Sequence, residues 1–139
     1  MINIDSGIQP ADLADRLEGV WNLAGEKILS INDRFPRESG TPVFTIEGQY
    51  SAQGWTEWTQ GFQFGAALVQ FDATGDEQFL KLGRDNTIAR MASHVSHTGV
   101  HDHGFNNVST YGNLRRLMLE GRMPFQHYEL ANYELALKI

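Results

Sequence analysis

Ala73-Thr74-Gly75-Asp76-Glu77 is a complete joint between two helices, and its reading decides the fold. Gly75 supplies the left-handed position past the end of one helix, and Asp76 caps the next by accepting from its first free amides. So short a connection makes the two helices antiparallel neighbours. Upstream, Trp55, Trp58, Phe62, Phe64, Leu68, Val69 and Phe71 place apolar residues on every side of the segment, the pattern of a helix buried nearly all round. Gly61 and Gly65 stand four apart in it. They leave room for another backbone or a ligand, at about 1 kcal/mol each in helix propensity. Downstream, Phe79, Leu82, Ile88, Ala89, Ala92 and Val95 predict a partner helix from about Glu77 to His97.

Working outward, Pro10 suits the first turn of a helix. Leu13, Leu17, Val20, Trp21, Ala24, Ile28 and Ile31 then recur at steps of three and four, which predicts an amphipathic helix over about Ala11 to Asn32. Asp33-Arg34-Phe35-Pro36 ends it, because proline disfavours helical geometry in the residue before it. Arg37 to Gly54 is irregular, with Val43 to Ile46 as its one short extended piece. A loop of that length is expected to be functional or to cover something. Toward the C-terminus, Tyr111, Leu114, Leu117 and Met118 predict a helix from Val108 to Glu120, closed by Gly121. Pro124 opens another, carrying Tyr128, Ala131, Leu135 and Ile139. The expected class is all-α, built of antiparallel helical hairpins.

A chain of 139 residues suits one core. With 41% hydrophobic and 20% charged residues the composition is that of a globular protein. The net charge of −6 leaves no basic stripe for phosphates, so neither nucleic acid nor an anionic membrane surface is an expected partner. There is no cysteine, hence no disulfide and no thiolate metal site. Asn3, Asp5 and Ser6 follow Met1 without a cationic or apolar leader, and no apolar run approaches the roughly 20 residues that span a bilayer. A cytoplasmic location is expected.

Chemistry concentrates in Val100-His101-Asp102-His103-Gly104-Phe105, read as a loop between helices. Four histidines, His94, His97, His101 and His103, fall within ten positions. Imidazoles in that number can supply two or three ligands to zinc or nickel. His94 and His97, however, share a helical face while His101 and His103 lie in the loop, and H-E-x-x-H is absent, so no metal is expected. Asp102 has the better case as a catalytic carboxylate. A general acid needs its pKa raised by burial or a like charge, so His101 and His103 help only when neutral or turned away. Trp55, Trp58 and Phe62 offer faces on which a sugar ring stacks. For Phe62 the core is the preferred reading, whereas Trp58 suits either role.

Asp33-Arg34-Phe35-Pro36, Trp58-Thr59-Gln60-Gly61-Phe62 running through Gly65 to Thr74-Gly75-Asp76-Glu77-Gln78, and His101-Asp102-His103-Gly104-Phe105 together resemble the N-terminal part of glycoside hydrolase family 88, the unsaturated glucuronyl hydrolases. The similarity runs from about Leu29 to Phe105. It implies an (α/α)6 barrel, a toroid of six helical hairpins with its active site among the loops and inner helix ends. It further implies removal of a Δ4,5-unsaturated uronic acid from the non-reducing end of lyase-generated oligosaccharides. The chemistry is hydration of the vinyl ether and collapse of the hemiketal, without a cofactor. By this resemblance Asp102 corresponds to one of two essential aspartates and Trp58 to a pocket aromatic. His101, Trp55 and His103 complete the expected substrate contacts. Two positions depart from the family pattern: Gln63 stands where a tryptophan usually follows Gly-Phe, and His103 where an apolar residue precedes Gly104. Between Met91 and Leu114 there is no Lys or Arg to meet a uronate.

Five helices do not close a six-hairpin toroid. Residues 1–139 are therefore expected to be the N-terminal portion of one toroid domain, ending in mid-helix, with the remainder of the barrel supplied by downstream sequence or another chain. Two rival readings stand beside this one. One is a six-hairpin glycosidase with a different sugar. The other is a non-catalytic helical-hairpin module binding carbohydrate or protein through the face from Trp55 to Phe62.

Overall fold

Helix α2 (Thr59–Thr74) is the axis on which the rest of the chain packs. The structure is a computed structural model and describes residues 7–138. Asn3, Asp5, Ser6 and Ile139, on which some of the terminal expectations rest, lie outside the described residues. A 3-10 turn (Pro10–Leu13) leads into α1 (Ala14–Arg34), followed by strands β1 (Thr41–Ile46) and β2 (Gln49–Gln53), then α2 and α3 (Glu77–Arg90). After a second 3-10 turn (Ala92–Val95) come α4 (His103–Asn107), a π-helical turn (Val108–Gly112), α5 (Asn113–Leu119) and α6 (His127–Ala136). Among the described residues the fold is mostly helical, as expected, but it also contains one two-stranded sheet that an all-α class does not have.

The α2–α3 joint forms as its sequence dictates. Gly75 is left-handed at φ 73°, and Asp76 accepts from the Gln78 amide at 3.0 Å. Phe64, Leu68 and Phe71 of α2 meet Phe79 and Leu80 of α3 and, from the other side, Tyr111, Leu114, Leu117 and Met118. Tyr133 and Ala136 of α6 close this core. The room kept by Gly61 and Gly65 is filled by backbone. A Cβ on Gly61 would lie 2.3 Å from Asn106 Cα, and one on Gly65 would lie 2.5 Å from the Ser109 carbonyl oxygen.

Four expectations are corrected. Arg37 to Gly54 is largely a β-hairpin and not an irregular loop: Ile46 pairs with Gln49 across a two-residue turn in which Glu47 and Gly48 both have positive φ. The partner helix stops at Arg90, because the chain turns through Ala92–Val95 to carry His94 inward. Val100 to Phe105 is a loop only in its first half. The Asp102 backbone carbonyl accepts from the Asn106 amide at 3.1 Å and so opens α4, five residues before the helix expected at Val108. Lastly, α2 is not buried all round, since Phe62 is 44% exposed and Val69 43%.

Helix α1 lies along α2 through Gly25 and through the Trp21 carbonyl, which accepts from Gln70 Nε2 at 2.9 Å. Leu17 and Val20 stay exposed. Two apolar grooves of about 250 and 360 Å³ run between α1 and the exposed side of α2, sharing Ile28, Phe62 and Ala66.

Candidate functional site

The histidines gather around the first turn of α4. His103 Nδ1 lies 2.9 Å from His94 Nδ1, and His103 Nε2 lies 2.7 Å from His97 Nδ1. At the inner end His94 Nε2 meets Gln60 Oε1 at 2.9 Å, and Gln60 Nε2 donates to Thr41 Oγ1 at 3.1 Å. Five residues from four separate segments thus form one continuous polar chain through the interior. Trp55 covers it: its ring stacks on His103 at 6.3 Å and stands edge-on to His94 and His97 at 5.2 and 5.1 Å.

The local sequence explains how these rings meet. Asn107 Nδ2 donates to the His94 carbonyl at 3.2 Å and to the Ala136 carbonyl at 3.0 Å, which fixes the Ala92–Val95 turn against α4 and α6. Gly99 makes space for His97, because a Cβ there would lie 2.5 Å from the ring. Four of the six ring nitrogens are engaged with one another and do not converge on a common point. His103 uses its two nitrogens in different directions, and His94 directs one of its own to Gln60. Among the described residues no cluster of three or more acidic or imidazole side chains has metal-holding geometry.

Burial governs the electrostatics. It pushes His94 down to about 4, reinforced by repulsion from His103 and His97. His103 is lowered too, first by burial and then by His97, while the Asp102 carboxylate works in the opposite direction. Burial therefore favours the uncharged form of His94 and of His103.

Asp102 stands at the start of α4 beside this array, with its Oδ1 3.4 Å from Nε2 of the exposed His101. Trp58 and Phe62 meet edge-on at 5.6 Å, and Phe62 lies 6.1 Å from Phe105 of α4. The three rings form one exposed aromatic row. On the other side of α4 a cleft of about 420 Å³ is lined by residues including His101, His103, Gly104, Asn107 and Leu137, with Asp102, Trp55 and Trp58 off its lining.

The expected site residues are thus divided. His103 joins the buried His94 and the half-buried His97 in one array, which the partly exposed Trp55 covers, while His101 and Asp102 flank it and Trp58 belongs to the aromatic row. His103 is almost fully buried with both nitrogens engaged, so its place is to support its neighbours rather than to touch a sugar. Sequence reasoning missed Gln60 and Asn106. Both are buried, and Asn106 Oδ1 accepts from the Gly61 amide at 2.7 Å. A signal for the first existed: Gln60, Gln63 and Gln70 are polar residues on an otherwise apolar helix, a pattern that demands internal partners. Compared with family models, curated proteins and solved structures, the chain matches none.

Proposed function

We propose that this chain belongs to a glycoside hydrolase acting on Δ4,5-unsaturated uronic acid at the non-reducing end of oligosaccharides. One observation carries the reading. The segments Trp58–Phe62 and His101–Phe105, whose motifs bear the resemblance to glycoside hydrolase family 88, meet at Phe62 against Phe105, and Asn106, the residue after the second segment, binds the Gly61 amide of the first. Residues some forty positions apart in sequence are thereby one surface, and Asp102 belongs to the second of the two segments, beside His101.

In this reading Trp58 stacks on the unsaturated ring, Asp102 assists protonation of the double bond or holds the attacking water, and His101 orients that water. Water adds across the double bond with its proton on C4 and its hydroxyl on C5, the resulting hemiketal opens to a ketone at C5, and the hemiacetal left at C1 collapses to an aldehyde, releasing the remaining saccharide as an alcohol. No cofactor takes part. The uncovered apolar face of α1 and α2 is where further hairpins of an (α/α)6 toroid would seat, from downstream sequence or another chain. No helix among the described residues is long and apolar enough to cross a membrane.

The test is loss of the unsaturated-uronate absorbance when the full-length protein meets lyase-generated disaccharides, with Asp102→Asn alongside. Turnover that disappears in the variant supports the reading. Unchanged turnover removes Asp102 from the mechanism. The exposed row Trp58, Phe62 and Phe105 also favours a second reading, a carbohydrate-binding module without turnover. Binding of saturated sugars, indifferent to Asp102→Asn, would establish that one.

A further inference from the structure

The hydrogens of the His97–His103–His94 array can be counted. Gln60 donates its amide to Thr41, so its Oε1 faces His94 and accepts from His94 Nε2–H. A neutral imidazole carries one N–H. His94 Nδ1 is then a lone pair, and His103 Nδ1 donates to it. His103 Nε2 is a lone pair in turn, and His97 Nδ1 donates to that. The exposed Gly99 amide also faces His97 Nδ1, at 3.3 Å against the 2.7 Å of the ring-to-ring contact, and the shorter contact takes the ring hydrogen. When all three rings are neutral, their hydrogens run in one direction and leave a single free base, His97 Nε2, at the outer end.

The same count fixes the capacity. Each of the two ring-to-ring contacts needs one hydrogen, and each end nitrogen holds at most one. Four hydrogens fit and the neutral array has three, so one more is accepted without conflict. A fifth forces two N–H groups to face each other at one contact. The added proton can also move. As the N–H bond at His97 Nδ1 breaks, one forms at His103 Nε2. The bond at His103 Nδ1 then breaks as one forms at His94 Nδ1, and the positive charge passes inward with only hydrogens displaced.

We propose that His97, His103 and His94 are a one-proton relay and pH-responsive latch at the start of α4: the first proton, taken from solvent at His97, is shared along the array, and a second opens it. Because His103 is the first residue of α4, opening frees the turn that bears Asp102. Among the described residues, the titratable groups acting on His94 are His103 and His97, and those acting on His103 are His97 and Asp102, which favours charge on His103 and pairs with the exposed His101. The proposal does not rest on the glycosidase reading, because its readouts are tautomers and fluorescence rather than turnover.

The experiment is imidazole 15N NMR on the full chain, paired with tryptophan fluorescence and with Trp55→Phe to isolate the Trp55 signal. At pH 8 we expect hydrogens on His94 Nε2, His103 Nδ1 and His97 Nδ1. On acidification His97 and His103 shift with one common midpoint, and Trp55 dims at that midpoint because a charged imidazole quenches a stacked indole. In His97→Gln the Trp55 transition moves to lower pH by about one unit or more, since only the buried rings remain to take the proton. Three rings titrating separately, the opposite tautomers, or a Trp55 transition unmoved in His97→Gln would each overturn the proposal. Should His97→Gln fail to fold, the wild-type tautomers still decide.

Discussion

The Gly61 amide donates to Asn106 Oδ1 across 2.7 Å, and Asn106 Cα occupies the place where a Gly61 Cβ would be. The first turn of a helix has free amides, and Trp58, at the cap position of α2, offers no side-chain acceptor. Asn106 caps α2 from across the fold and at the same time holds the Glu57 carbonyl through Nδ2 at 3.2 Å. Asn106→Ala should therefore cost about 1–3 kcal/mol, the usual range for a buried donor left unsatisfied. Gly61→Ala pushes α4 off α2 and should cost at least about 1–3 kcal/mol. Chemical denaturation measures both. A Gly61→Ala protein as stable as wild type would mean that the two helices do not approach this closely.

Stability should fall on mild acidification. His94 is fully buried and pushed down to about 4, mainly by burial, against an unfolded value near 6.5. Above 6.5 both states are neutral and the full stability is present. As pH falls from 6.5 to 4 the unfolded chain binds a proton that the folded chain refuses, and up to about 3 kcal/mol is lost. Asp102 opposes this slightly by favouring charge on His103, while His97 adds to it. Denaturation midpoints at pH 7.5 and 4.5 test the window, and His94→Gln should flatten it.

Carboxylate pairing extends the acid sensitivity further down. Glu129 is held below its ordinary value by hydrogen bonds from Arg84, with the Tyr133 hydroxyl donating to it at 2.6 Å. Its contribution is present above the unfolded carboxylate value and lost as pH falls through the lower folded one. Glu129→Gln, which keeps the shape and removes the charge, should cost about 1.5–3 kcal/mol at neutral pH, the range for hydrogen bonds to charged groups. A thermal shift within error of wild type would show that the pair contributes nothing.

Much of the helical frame was legible because local rules and tertiary packing agree there. Thr74-Gly75-Asp76 makes its joint with no help from elsewhere, and Gly61 with Gly65 announced a close approach without saying whose. The array of three histidines was not legible. Residues 94, 97 and 103 have no common period, and only the turn at Ala92–Val95 together with the early start of α4 brings them together. The hairpin was hidden for a different reason. Glu47-Gly48 is not one of the strongest turn pairs, and bulging between Pro42 and Phe44 breaks the alternation that marks a strand.

That turn makes a prediction of its own. Glu47 sits at φ 49°, a left-handed conformation that costs an ordinary side chain about 1–2 kcal/mol. Asparagine tolerates it better. Glu47→Asn should stabilise the protein by about 0.5–1 kcal/mol, read as a rise in thermal midpoint, with no change at the histidine array. Destabilisation would indicate that the Glu47 side chain has a role that its exposure does not suggest.

Phe62 and Phe64 separate surface from core on one helix. Both are aromatic and two positions apart, yet Phe62 is 44% exposed whereas Phe64 is fully buried between α3 and the interior. Phe64→Ala should cost about 3–5 kcal/mol, as large-to-small changes in a packed core do. Phe62→Ala removes a ring that is already half in water and should cost less than about 1.5 kcal/mol. If the row of Trp58, Phe62 and Phe105 is a stacking face for a sugar, Phe62→Ala and Trp58→Ala should also weaken ligand binding by roughly tenfold, about 1.4 kcal/mol. Stability and binding are then measured on the same two variants. Large stability losses with intact binding would return Phe62 to the core, where the apolar pattern of its helix first placed it.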